Sequence, residues 1–107
     1  MPTSNYPTRV TLFTKEDCLP CAQTKKYLFD NFYSEVDDYR LLEVLTVMKE
    51  QDHPALIAAF TITKFPTLLI HRGGYELDRV VGGRDIRGNL RYILTEVAQK
   101  NFTEEAS

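Results

Sequence analysis

The sequence predicts an α/β domain, a mixed four-stranded sheet with helices on both faces and elements in the order βαβαββα. Three observations carry this. β-Branched and aromatic runs alternate with stretches patterned at helical spacing. A β-α-β succession requires a parallel strand pair. The Gly73-Gly74 pair separates two strand-like runs and signals a hairpin, which requires an antiparallel pair.

The first strand is Arg9 to Thr14, apolar or β-branched after its first residue. Glu16 and Asp17 end it. Pro20 suits the first turn of a helix, where its missing N–H is no loss. Cys21, Leu28 and Phe32 then share a face, so a helix spans about residues 19–33. Ser34 to Asp38 reads as a polar connection and residues 40–45 as the second strand. Residues 46–53 read as loop or one helical turn. Pro54 opens a short helix through Phe60, capped by Asp52 or His53.

Thr67 to His71 is the most strand-like run, and residues 75–81 form its hairpin partner. Gly82-Gly83 ends that partner. Asp85 is an expected N-cap, followed by the helical stripe Ile86, Leu90, Ile93, Leu94 and Val97. The polar tail from Asn101 to Ser107 is expected to fray.

A chain of 107 residues fits a single domain, 1–107, with its core at about 9–98 and flexible termini. The net charge of −2 and dispersed lysines speak against nucleic-acid binding. No apolar run is long enough to cross a bilayer, so no membrane role is expected. Met1 to Thr8 is polar and lacks the apolar region of a signal peptide. A cytoplasmic protein in a reducing compartment is therefore expected.

That expectation gives weight to the two cysteines, Cys18 and Cys21. A C-x-x-C pair would arise by chance only about 2% of the time for two cysteines in a chain this long. Cysteine reacts as thiolate, which a helix N-terminus and nearby cations favour. Cys18 sits just ahead of the helix, near Lys15 and Lys25. Cys21 lies one turn further in and is better shielded. These positions suggest that Cys18 attacks a substrate disulfide and Cys21 resolves the mixed disulfide. Leu19 and Pro20 hold the sulfurs close enough to bond. Zinc would need four ligands, and His53 and His71 match no zinc spacing, so no metal is expected. Both histidines read as ordinary polar residues. Pro66, taken alone, reads as a strand-entry proline.

A strand ending in Thr14-Lys15, Cys18-Leu19-Pro20-Cys21 opening a helix, Phe65-Pro66-Thr67 before a strand, and Gly82-Gly83-Arg84-Asp85 before the last helix together resemble the thioredoxin superfamily. Within it the chain is most similar to glutaredoxins and to the glutaredoxin-like redoxins that feed ribonucleotide reductase. The resemblance covers about residues 9–98 and implies a thioredoxin-like fold. It implies a cis Phe65–Pro66 bond facing Cys18. It also implies that Lys15 holds a glutathione carboxylate and that Gly82, Gly83 and Asp85 meet the γ-glutamyl end. With Leu19 and Pro20 these residues make up the expected substrate-binding set. Lys15 is equally readable as a solvated charge, and Gly82-Gly83 as a plain turn.

The implied function is a thiol–disulfide oxidoreductase that reduces protein disulfides or glutathione mixed disulfides. It would act as a monomer without bound cofactor, with glutathione as co-substrate and ribonucleotide reductase as a client. Some residues depart from the glutaredoxin pattern. Pro20, just before the second cysteine, resembles thioredoxins. Yet the eight residues before Arg9 leave no room for thioredoxin's extra strand and helix, and Leu12 stands where that family has a buried aspartate. The reductant is therefore open between glutathione and thioredoxin reductase. Two other readings stay open: an iron–sulfur carrier in which two copies share a cluster through Cys18 and glutathione, and a redox-silent binding module.

Overall fold

The computed structural model describes residues 7–32 and 40–106. Strand β1 (Thr8–Thr14) leads to helix α1 (Leu19–Phe32). Strand β2 (Leu45–Lys49), a 3-10 turn (Glu50–Asp52) and helix α2 (Pro54–Ala59) follow. The hairpin β3 (Thr67–Arg72) and β4 (Tyr75–Val81) precedes the long helix α3 (Gly83–Ala106). The sheet order is β2-β1-β3-β4. β1 runs parallel to β2, with Val10 opposite Leu45, and antiparallel to β3, with Val10 opposite Ile70. The sheet is thus mixed, as expected.

Side-chain alternation along β1 and β3 builds two cores, because successive residues in a strand point to opposite faces. Val10, Leu12 and Leu68 face α1 and α3, where they meet Leu28, Phe32, Ile86, Leu90 and Leu94. Phe13 and Leu69 face the other way, towards α2, where they meet Ile57, Phe60, Ile62 and Phe65. Helices therefore cover both faces. The predicted stripe of α1 is buried, joined by Thr24.

Several expectations need correction. The second strand lies at Leu45–Lys49, not 40–45, and residues 40–42 are helical. The Val44 amide turns back to the Leu41 carbonyl at 3.3 Å, and the Val44 carbonyl receives the Val10 amide at 2.9 Å. Leu41, Leu42 and Val44 still pack on the larger core. The apolar run thus recorded burial without recording conformation. The loop assigned to 46–53 holds most of β2 and the 3-10 turn.

Asp85 is not the cap of the last helix. Gly82, at φ +99°, turns the chain earlier, and its carbonyl receives the Ile86 amide at 3.0 Å. Such a φ is open to glycine at no steric cost. Asp85 then sits in the first turn, where a carboxylate suits the helix dipole. At α2, His53 takes the cap position without a side-chain bond. The tail is helical to Ala106. Asn101 extends the stripe of α3, and its amide clasps Thr8. Its Oδ1 accepts from the Thr8 amide at 3.0 Å and its Nδ2 donates to the Thr8 carbonyl at 2.8 Å. The Ser34–Asp38 connection and the first six residues lie outside the described residues.

Candidate functional site

The site forms where β1 ends and α1 begins. Asp17 adopts φ +54°, a left-handed conformation that short polar side chains tolerate best. This bend delivers Cys18 to the N-cap of α1, where its carbonyl receives the Ala22 amide at 3.0 Å. Cys21 falls three positions on, and the two cysteines form a disulfide with Cα atoms 5.2 Å apart. The Cys21 amide, an otherwise unpaired donor of the first turn, donates to Cys18 Sγ at 3.2 Å.

The two sulfur-bearing residues differ in exposure. Cys21 is 1% exposed, whereas Cys18 is half-buried and Leu19 beside it is 69% exposed. A shallow cavity of about 540 Å³ opens at the disulfide, lined by Lys15, Asp17, Leu19, Ala22 and Lys25 with both cysteines. Neither lysine has a salt bridge among the described residues.

Phe65 and Pro66 stand against this bend, and their peptide bond is cis. The Phe65 carbonyl oxygen lies 3.8 Å from Cys18 Sγ. In the disulfide this is a contact, since the sulfur carries no proton. In the dithiol the Cys18 thiol can donate to that oxygen. Lys15 Nζ lies 5.5 Å from the centre of the Phe65 ring, within cation–π range.

The Gly82-Gly83 turn reaches the same end of the sheet from the other side. The Gly82 amide donates to the Pro66 carbonyl at 3.0 Å. A Cβ on Gly83 would lie 3.1 Å from the Pro20 carbonyl oxygen, 3.0 Å from Thr24 Oγ1 and 2.8 Å from Arg87 Nη1. The glycine therefore permits the close approach of α3 to α1. So the structure gathers Lys15, Cys18, Leu19, Pro20, Cys21, Phe65, Pro66, Gly82 and Gly83 at one end of the sheet. Gly82, Gly83 and Asp85 do not line the cavity at the disulfide, and Asp85 is exposed.

Two residues at this end are not foreseen. Thr24 is fully buried, and its hydroxyl donates to the Pro20 carbonyl at 2.8 Å. Arg87 is half-buried and donates from Nη1 to Thr24 Oγ1 at 3.2 Å. A polar Thr24 on the stripe of Cys21, Leu28 and Phe32 is the signal that reveals it. Arg87 carries no comparable sequence signal. Neither histidine lines the cavity at the disulfide. His71 Nε2 lies 2.7 Å from Thr11 Oγ1 and its Nδ1 lies 2.9 Å from the Gly73 carbonyl oxygen.

No family model matches the sequence. A thioredoxin of Chlamydia caviae is 32% identical over 81 residues, which span 76% of this chain and 74% of that protein. Solved thioredoxins share the fold. The oxidised thioredoxin of Plasmodium falciparum superposes with a TM-score of 0.65 at 15% identity, covering 91% of this chain and 86% of that one. The thioredoxin of Malassezia sympodialis gives 0.64 at 18% identity, covering 85% and 75%. A redox-active Cys18–Cys21 pair, a thioredoxin-like fold and a relative of this identity lead to one assignment: the chain belongs to the thioredoxin family of thiol–disulfide oxidoreductases.

Proposed function

We propose that Cys18 is the nucleophile and Cys21 the resolving cysteine of a cytoplasmic protein-disulfide reductase. The observation that carries this reading is the asymmetry of the pair, a half-buried Cys18 at a helix N-cap against a Cys21 that is 1% exposed. The Cys18 thiolate attacks one sulfur of a client disulfide and expels the other as thiolate. The Cys21 thiolate then attacks Cys18 Sγ, closes the Cys18–Cys21 bond and releases the second client sulfur. Two electrons pass to the client, and its two thiolates regain the protons that the dithiol lost. The Cys21 amide 3.2 Å from Cys18 Sγ favours the thiolate by hydrogen bonding and helix dipole.

Clients are proteins with accessible disulfides, ribonucleotide reductase among them. Exposed Leu19 supplies an apolar contact for such a client. Kinship with thioredoxins supports recharging by thioredoxin reductase. A second reading, glutathione as reductant, is favoured by one observation. Lys15 lines the cavity at the disulfide and lies over Phe65, where a carboxylate of a bound tripeptide would meet it as a point charge.

Alkylation of the dithiol at mildly acidic pH tests the roles. Cys18 should be modified first, and a Cys21→Ser protein should still form a mixed disulfide. Prior reaction of Cys21 would reverse the assignment. Re-reduction of the oxidised protein by glutathione, compared with thioredoxin reductase plus NADPH, separates the two reductants. Faster recovery with the reductase is expected. A rate set by glutathione alone would favour the second reading.

A further inference from the structure

We infer that Arg87 is a positioning residue of the redox site, acting through Thr24 on the resolving step of Cys21. The inference rests on the assignment of Cys21 as the resolving cysteine. Cys21 and Thr24 stand three positions apart on α1 and are both buried, so their side chains are neighbours on one helical face. The Thr24 hydroxyl is committed to the Pro20 carbonyl at 2.8 Å. Its oxygen accepts from Arg87 Nη1 at 3.2 Å. Gly83 keeps this junction close, since a Cβ there would crowd all three groups at 2.8–3.1 Å. The chain Arg87–Thr24–Pro20 therefore ties α3 to the first turn of α1, the turn that carries Cys21.

Two effects follow. The tie fixes the turn that aligns Cys21 with Cys18. It also holds a permanent cation against Thr24, the buried neighbour of Cys21 on α1. A positive charge nearby favours a thiolate that forms away from water. The other charged side chains at the sulfurs are Lys15 and Asp17 from the loop after β1 and Lys25 from α1, and these line the solvent-facing cavity. β1 and β3 bring Leu12, Phe13, Thr14, Thr67 and Leu68 to this end, all uncharged. From α3, Arg87 is hydrogen-bonded to Thr24, three positions from Cys21, whereas Arg84 beside Gly83 is exposed.

A symmetrical nitroaryl disulfide resolves the two steps. Attack by Cys18 releases one coloured thiolate, and attack by Cys21 on the Cys18 mixed disulfide releases the second. Arg87→Gln should slow the second release about three- to tenfold at neutral pH. Its pH profile should move alkaline by about half to one unit, and the first release should change less than about twofold. Arg87→Lys should restore the pH profile while remaining slower, because it keeps the charge and loses the planar fork. If Arg87→Gln fails to fold, Thr24→Val reads the same tie and should slow the second release selectively. An unchanged second-phase profile would overturn the inference, as would equal slowing of both phases. Cys21→Ser distinguishes the underlying assignment. It should abolish the second release alone, and a second release that survives would sink the cysteine roles themselves.

Discussion

The two faces of the sheet are built differently. Against α1 and α3, Val10, Leu12 and Leu68 meet a thick layer that includes Phe32, Ile86, Leu90 and Leu94, each fully buried. Against α2 the burial is thin. Phe13, Leu69 and Ile62 are buried there, but no residue of α2 itself is. Polar ties take over. The helix ends with the Thr61 amide on the Ala58 carbonyl at 3.1 Å and the Ile62 amide on the Ile57 carbonyl at 2.9 Å. This is the Schellman arrangement, with Thr61 at φ +53° where glycine is usual. Arg79 from β4 then donates to the Phe60 carbonyl at 2.6 Å and grips Glu76 with two bonds of 2.6 and 2.7 Å. One face is held by packing, and the other by capping. The buried half of the redox pair belongs to the packed face, since Cys21 shares the buried side of α1 with Thr24, against which Gly83 packs.

The largest test of this contrast is truncation. Leu90→Ala removes a fully buried side chain from the packed face and should cost about 3–5 kcal/mol, whereas half-buried Ile57→Ala on α2 should cost about 1–2 kcal/mol. Urea unfolding measures both. Equal losses would erase the distinction between the faces.

Next in size is Thr61→Gly. The left-handed conformation costs a β-branched residue about 1–2 kcal/mol, and glycine gives back about 0.4–1 kcal/mol through the unfolded chain. A net gain of about 0.5–1 kcal/mol is expected, read as a raised melting temperature. The Thr61 side chain is exposed and its carbonyl remains available to Arg79, so a loss on substitution would contradict capping as the source of order at α2.

The smallest effect is a pH dependence. Hydrogen bonds from the Arg79 guanidinium hold the Glu76 carboxyl below its ordinary value of 4.5. A carboxyl lowered in the folded state stabilises above its unfolded value, and that contribution is lost as pH falls through the folded one. Glu76→Gln should therefore lose less stability than the parent on going from neutral pH to about pH 3. Salt should narrow the difference, because the pair is exposed. An identical acid limb in both proteins would remove Glu76 from the capping of α2.

Most of the packed face was legible in the sequence. The stripes of α1 and α3 each carry one clear period, the runs Arg9–Thr14 and Thr67–His71 read as strands from their β-branched and aromatic residues, and both sets pack into the core. The C-x-x-C motif, Pro66 and the two-glycine turn also converge at one end of the sheet, because each marks a local backbone requirement. The second strand was not legible. Residues 40–49 are apolar in both halves, and pairing with β1 decides which half is strand. Thr24, Arg87 and Asn101 escaped for a related reason. Their partners, Pro20, Thr24 and Thr8, come together only when α1, α3 and β1 are assembled. Gly82, Gly83 and Asp85, expected at the γ-glutamyl end of a bound glutathione, do not line the cavity that Lys15 lines.

The hairpin also decides how the molecule meets its own copies. β4 is an edge of the sheet, with Tyr75, Leu77 and Val81 exposed on it. An open apolar edge invites another chain to add as a further strand and seed fibrils. Here Glu76, Asp78 and Arg79 interleave with those apolar residues, and the register breaks between Ile70 and His71. Charges would be trapped in any strand added there, and such a break twists an edge away from a flat template. The chain can therefore carry an exposed Leu19 and a reactive sulfur at one end while its ladder stops growing at the fourth strand.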